Sequence, residues 1–403
     1  MTDGAPPAIP YARPYWDGAE TEALLEALGS GMWTNGARVT SFEAELERLA
    51  GTPAVTLSSG TAAVWALLHV LGRRIAGPKL LVTPALTFAA APASARLLGW
   101  DVALCDVTAD GLTAAPDRVA ELLDRVRHRY GRVVVMPVHY AGHPADMLAL
   151  QRICLAAGAD LVEDACHATG ARYDGTDIPV GAWPGSLAAF FSFHPTKPVA
   201  SGEGGAVVSS SPELLAEVRA VRNHNMTPVA AHQDDLAPWP YTIPEPGLNL
   251  RLSDLHAAVG LVQARRAEES RVARARLAAR YHDAFDDLPG LRTVPRRQRA
   301  GSAHHLFPVV FDLAEIGLSK PELIGVLRDR GVGCQVHYTP LHRLPAFAGI
   351  PAGLRSCLDT VDAAFPGLVS LPLWRGLTDA DQDRVIEVVT DVAYGKHSGR
   401  CRG

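Results

Sequence analysis

The sequence predicts an α/β protein, with a mostly parallel sheet covered by helices on both faces and a second, smaller α+β domain. Three observations carry this. Seven short apolar runs occur before residue 211. Helix-length segments separate the first five, and strands buried on both faces read as near-continuous apolar runs in such a parallel arrangement. From Ser253 the pattern changes to a long charged helical stretch followed by isolated strands and helices.

The first five strands are "AVTLSS" (Ala54 to Ser59), "KLLVTP" (Lys79 to Pro84), "DVALCDV" (Asp101 to Val107), "RVVVMPVHY" (Arg132 to Tyr140) and "DLVEDA" (Asp160 to Ala165). Stretches such as "TAAVWALLHVLG" and "PADMLALQRICLAAG" supply helices between them. "LAAFFSF" (Leu187 to Phe193) and "GAVVSS" (Gly205 to Ser210) lie closer together, so a short turn around Lys197 must join them. Beyond Ser253 the reading is one long helix through "AAVGLVQARRAEESRVARARLAARYHDAF", a strand "HHLFPVVF", a helix "SKPELIGVLRDRG", a strand "GCQVHYTP" and a final helix over Asp379 to Val392. The implied division is an N-terminal arm (1–17), a large domain (18–252), a connecting helix with a small C-terminal domain (253–395), and a disordered tail (396–403).

Composition bounds the function. The chain has 403 residues, 48% hydrophobic and 20% charged, as expected of a soluble globular protein. A formal charge of −5 and the lack of a basic stripe argue against nucleic acid as a partner. No apolar run is long enough to span a bilayer, which argues against a membrane role. The start, "MTDGAPPAIPYARPYW", lacks the charged head and apolar core of a signal peptide. Cys105, Cys154, Cys166, Cys334, Cys357 and Cys401 are scattered without C-x-x-C spacing, so neither a metal site nor a disulfide framework is expected. A reducing, cytoplasmic compartment is the expectation.

In an open parallel sheet, ligands bind beyond the carboxyl ends of the strands. "SSGTAA" (Ser58 to Ala63) ends a strand and opens a helix, so its backbone N–H groups can face an anion, although Ser and Thr also cap helices. Asp164, at the end of "DLVED", is costly to bury without a cation or donor; a local helix cap is the other reading. His167 follows closely as a ligand neighbour or a satisfied loop histidine. Ser192 ends its strand near Lys197 and can join the anion site. Phe88, in "TPALTFAAAPAS", offers a flat face to an aromatic ligand or is an ordinary core residue. Lys197, in "FFSFHPTKPVASGEGGAVVSS", is a surface charge or a nucleophilic amine in a pocket. An anion cradle, a stacking ring, a carboxylate and a lysine together match pyridoxal 5′-phosphate, which carries a phosphate, a pyridine ring and an aldehyde. A buried carboxylate favours the protonated pyridine, the better electron sink.

These motifs carry a resemblance. With "GSGMWTNGARVTSFEAEL", "VHYAGHPADM", "EDACHATGARYDG", "GLNLRLSDLHAAVGLVQ", "VHYTPLH" and "SLPLWRGLT", they make the chain similar, from about Ile9 to Val392, to sugar aminotransferases of the DegT/StrS family. That family has the fold type I architecture of aspartate aminotransferase. "FSFHPTKPVASGEGGAVVS" and "GLNLRLSDLHAAVGLVQ" resemble most the branch that aminates UDP-linked 4-keto-6-deoxy hexosamines in pseudaminic acid synthesis. The resemblance implies two catalytic residues: Lys197, which takes the cofactor aldehyde and shuttles the proton, and Asp164, which pairs with the pyridinium. It places Phe88 against the ring, His167 near the ring hydroxyl, and Gly60, Thr61 and Ser192 on the phosphate. Asn249 would reach the phosphate in a neighbouring subunit, which implies a homodimer with shared sites. Tyr11, Trp33, Thr34, His337 and Tyr338 match substrate-contacting positions, and Arg251 is a further candidate for anion contact. The implied reaction moves an amino group from L-glutamate to a keto-sugar.

Other readings share these motifs. A keto-cyclitol aminotransferase has the same set. A related dehydratase has His in place of Lys197, and a non-catalytic regulator would not need Lys197, Asp164 and Ser192 together. The sequence departs from the family at Asn225, where Gly is usual, in "GMWTNGA", which lacks a Gly-Pro, and at Leu187, where many members have Asp.

Overall fold

The seven apolar runs form one sheet: β1 (Ala54–Leu57), β2 (Lys79–Pro84), β3 (Asp101–Cys105), β4 (Arg132–Val135), β5 (Asp160–Asp164), β6 (Ala188–Ser192) and β7 (Gly205–Val208). The structure is a computed structural model that describes residues 8–228, 241–297 and 300–396. Residues 1–7 of the expected arm and 397–403 of the expected tail lie outside the described residues. The strand order is β1-β7-β6-β5-β4-β2-β3, and only β7 runs against its neighbours. The carboxyl ends of the other six therefore share one edge with Gly205, the first residue of β7. The short turn from Phe193 to Gly204 that joins β6 to β7, and carries Lys197, is held at that same edge.

Helices cover both faces: α1 (Ala19–Gly29), α2 (Ala37–Ala50), α3 (Gly60–Gly72), α4 (Ala90–Leu97), α5 (Pro116–Val126), α6 (Met147–Ala157) and α7 (Pro212–Val221). In α5, Pro116 pre-sets the first turn, and Val119, Leu122, Leu123 and Val126 form the one-sided stripe that it buries. α3 is buried almost all round and packs into the first core with the strands. β4 stops at Val135, short of the apolar run. Pro137 cannot donate to a ladder, and the chain then turns through Ala141 and Gly142, both at positive φ (58° and 98°).

Two of the departures from the family pattern are locally accommodated. Asn225 takes φ 58°, a left-handed conformation that Asn tolerates better than most residues, and its Nδ2 donates to Glu245 O at 3.1 Å. Gly36, without Pro, starts α2 with no side-chain cap of its own. The buried carboxylate of Asp254 serves instead, accepting from the N–H groups of Gly36, Arg38 and Val39 at 2.7, 3.0 and 3.3 Å.

A short ribbon, β8 (Thr227–Pro228) and β9 (Tyr241–Thr242), precedes the second half. The single long helix expected there is two: α8 (Asp254–Arg265) and α9 (Ala267–Phe285). Arg266 breaks it with φ −102° and ψ 10°, and its guanidinium turns to Asp17 in the N-terminal segment at 2.8 Å. Beyond α9, β10 (Leu291–Thr293), β11 (Phe307–Phe311) and β12 (Leu368–Leu371) form an antiparallel sheet. Helices α10 (Leu313–Ile316), α11 (Lys320–Asp329), α12 (Pro345–Ala348), α13 (Asp359–Ala364) and α14 (Asp379–Ala393) complete the chain. "GCQVHYTP" does not form the expected strand. Only Gln335 pairs, with Ser370 of β12, and the chain then leaves the sheet so that His337 O accepts from Tyr140 of the large sheet's turn. Its place is taken by β12, from the "VSLPLW" stretch. Ile9 pairs with Val332 and is buried in the second core with Tyr281, Phe285 and Phe307.

Candidate active site

At the carboxyl edge of the large sheet lies a cavity of about 400 Å³. Gly60, Thr61, Phe88, Asp164, His167, Ser192 and Lys197 all line it. Tyr11, His337 and Tyr338, brought over from the second half of the fold and the N-terminal segment, close it. Residues far apart in sequence meet here because β1, β2, β5 and β6 end at this edge.

The anion cradle is built from backbone. Ser59 caps α3 by accepting from Ala62 N at 3.0 Å, which leaves Gly60 and Thr61 in the first turn, where N–H groups have no partner within the helix. Ser192, at the end of β6, faces them: a Cβ on Gly60 would fall 2.7 Å from Ser192 Cβ. A Cβ on Gly205 would fall 2.4 Å from Ser59 O, so the glycine-rich turn after Lys197 lets β7 close onto the same cradle.

Phe88 is 60% exposed, which excludes a core role; its ring lies 5.7 Å from that of Tyr338 on the cavity wall. Asp164 is buried at the end of β5, and its Oδ1 accepts from Cys166 N at 3.1 Å. The local turn thus uses one of its oxygens. Burial pushes the Asp164 carboxyl up, with the Cys166 N–H and the Lys197 charge opposing. Burial pushes the Lys197 amine down, toward the neutral nucleophile, with Cys166 and Asp164 opposing. The two shifts agree on one cause, a water-poor site. Asp164 sits where a cationic ring nitrogen would relieve its burial.

His167 is fixed as one tautomer. Ala141 N donates to its Nδ1 at 3.2 Å, so in the neutral ring Nε2 carries the hydrogen and faces Tyr338 Oη at 2.8 Å. Burial and the nearby Lys197 keep the ring neutral. His337 is anchored by Nδ1 to Ser370 Oγ at 2.9 Å, and burial pushes it down to about 4.

The remaining candidates do not line their own chain's cavity. Asn249 is exposed, and its backbone pairs with Asn223. Arg251 donates to Asn223 Oδ1. Thr34 pairs with Ser253, and Trp33 is 55% exposed, with Nε1 donating to Leu28 O. Among the cavity residues not singled out from the sequence, Cys166, His194, Glu203 and His305 carry titratable groups. His305 was hidden in a run read only as strand, although two adjacent histidines opening an apolar strand are an unusual signal. Behind the sheet, the fully buried Glu163 meets His139 Nε2 at 2.7 Å and the Tyr173 hydroxyl, a network that braces β5 beside Asp164. Among the described residues no group of three or more His, Cys, Asp or Glu could hold a metal ion, and no helix is long and apolar enough to cross a membrane.

Comparison with known proteins identifies the family and the fold. Residues 14–390 match the model of the DegT/DnrJ/EryC1/StrS aminotransferase family. The structure is similar to Helicobacter pylori PseC, an aminotransferase involved in the biosynthesis of pseudoaminic acid, with 24% identity, TM-score 0.87, and coverage of 96% of this chain and 99% of that one. It is similar to DesI, solved in the presence of its TDP-sugar product, with 29% identity, TM-score 0.83, and coverage of 97% and 94%. A putative sugar aminotransferase from Streptococcus pneumoniae in its PMP form gives 26% identity, TM-score 0.85, and coverage of 96% and 99%. The chain belongs to the DegT/DnrJ/EryC1/StrS aminotransferase family, whose members depend on pyridoxal phosphate.

Proposed function

We propose that this aminotransferase moves an amino group from L-glutamate to a nucleotide-linked 4-keto-6-deoxy sugar. The convergence of Lys197, Asp164, Phe88 and the Gly60–Ser192 cradle on one cavity carries the reading. The tight cradle, the buried carboxylate and the amine free of ion pairs among the described residues fit pyridoxal phosphate. The α3 N-terminus and Ser192 would hold its phosphate, Phe88 would cover its ring, and His167 Nε2–H would donate to the ring hydroxyl. When bound, the cofactor supplies an aldehyde that accepts the amino group and a ring that takes up the electron pair from the cleaved C–H bond.

The chain's own residues do the rest. Asp164 keeps the ring nitrogen protonated. Lys197, its amine pushed down by burial, would act as the base: Nζ would take the proton from the donor Cα and pass it to the carbon that takes up the nitrogen. In the acceptor half the same two residues run the steps in reverse.

DesI's TDP-sugar supports a nucleotide-linked acceptor for this chain. Exposed Met32, Trp33 and Leu248, close in sequence to Thr34 and Asn249, support a homodimer in which these residues complete the partner's site. The five described cysteines are all free, which supports the cytoplasm as the compartment. Turnover with L-glutamate, measured against a panel of nucleotide-linked keto-sugars and keto-cyclitols, tests the reading. Amination confined to keto-cyclitols would overturn the acceptor.

A further inference from the structure

His305 stands apart from the other histidines of the cavity wall. His167 has partners on both ring nitrogens, and His337 is anchored to Ser370. His305 lines the cavity, is 4% exposed, and its buried Nδ1 has no hydrogen-bond partner. Its position is well defined. The backbone N–H donates to Ala141 O at 2.9 Å, and the carbonyl accepts from the buried Arg274 at 3.4 Å. Ala141 thus grips two of the cavity histidines, His167 through its N–H and His305 through its carbonyl. The His305 ring leans on His167 with centroids 4.5 Å apart and planes at 59°.

A buried polar atom without a partner weakens the fold, and a flat apolar ring would pack on His167 without that penalty. The structural account of an imidazole here is therefore poor. Burial, reinforced by Lys197, holds it neutral, so it offers one N–H and one lone pair. One ring nitrogen facing the cavity, whether N–H or lone pair, suits a hydroxyl, which can accept from the first or donate to the second. It suits a phosphate poorly, since a neutral ring brings no opposing charge. Lys197, the residue that handles the reacting carbon in the proposed reaction, lines the same cavity as His305.

We propose that His305 is a specificity-determining residue that hydrogen-bonds a hydroxyl of the acceptor sugar near the carbon that receives the amine. The proposal rests on the keto-sugar reading above. The donor half-reaction involves no sugar, so it supplies an internal control.

The test uses holoenzyme carrying His305→Phe or His305→Gln. His305→Phe should fold with a Tm at or above that of the wild type, because it removes the unpartnered nitrogen. The rate of the glutamate half-reaction, followed by cofactor absorbance, should stay within about twofold. KM for the keto-sugar should rise about 10-fold, with kcat much less affected. His305→Gln, which restores a donor and an acceptor, should recover part of the loss. An acceptor lacking the contacted hydroxyl should give the wild type and His305→Phe equal kcat/KM. An unchanged KM in His305→Phe, or equal slowing of both half-reactions, overturns the assignment. Failure of the wild-type enzyme on every keto-sugar is a separate result that overturns the acceptor reading and takes this role of His305 with it.

Discussion

Gly60 and Ser192 approach so closely that no side chain fits between them: a Cβ on Gly60 would meet Ser192 Cβ at 2.7 Å. This contact holds the first turn of α3 against the end of β6 and shapes the anion cradle. Gly60→Ala must push the two apart. We expect cofactor affinity to fall by about 10-fold or more, with destabilisation of about 1–3 kcal/mol from overpacking. Equilibrium titration of apoenzyme with pyridoxal phosphate checks this; wild-type affinity in Gly60→Ala would exclude the cradle.

In the proposed reaction Asp164 keeps the ring nitrogen protonated. Asp164→Asn preserves shape and removes the charge, so the half-reaction with glutamate should slow on the order of 10²-fold, while the phosphate contacts retain the cofactor. Stopped-flow absorbance measures the rate. Near-normal turnover in Asp164→Asn would remove the carboxylate from the mechanism.

The buried histidines make the fold acid-sensitive. His304 is pushed down to about 3 and His337 to about 4, chiefly by burial, and burial holds His167 and His305 low as well. Unfolded, each regains a value near 6.5. Below that pH the unfolded chain binds protons that the folded chain refuses, so stability falls as pH drops from about 6.5 toward 4. Each such group contributes a slope of about 1.4 kcal/mol per pH unit between the two values. His304→Asn, which keeps a residue tolerant of φ 46°, should reduce the slope near pH 5 by about that amount in urea titrations. An unchanged slope would mean that His304 is protonated in the folded state.

Asn249 tests the shared site. It is exposed and absent from its own chain's cavity. Mixing inactive Lys197→Ala and Asn249→Ala homodimers under conditions of subunit exchange should restore activity to about a quarter of the sites, since each mixed dimer then holds one intact site. Exchange without recovery would confine Asn249 to a local role.

Much of this was legible in the sequence, for identifiable reasons. The seven core strands announce themselves because both of their faces are buried; Asp164 and Ser192 stand out as polar residues ending such strands, and Lys197 as the lysine in the turn after β6. The second half was harder to read. The α8–α9 break at Arg266 depends on Asp17, more than two hundred residues away, and no local signal marks it. "GCQVHYTP" has strand composition, yet its chain is drawn to the cavity by Tyr140, while β12 takes the place beside β11. Asp254 likewise reads as the first residue of its own helix, but its carboxylate caps α2. His305 sat in a run read only as strand, and its unpartnered nitrogen is visible only once the packing is known.

The central claim is that Lys197 holds the cofactor. Borohydride reduction of the holoenzyme, followed by proteolysis and mass mapping, tests it most directly. We predict a single stable pyridoxyl modification on the peptide that contains Lys197, and none in Lys197→Ala. Modification of any other lysine in the wild-type enzyme, with Lys197 unlabelled, would contradict the account.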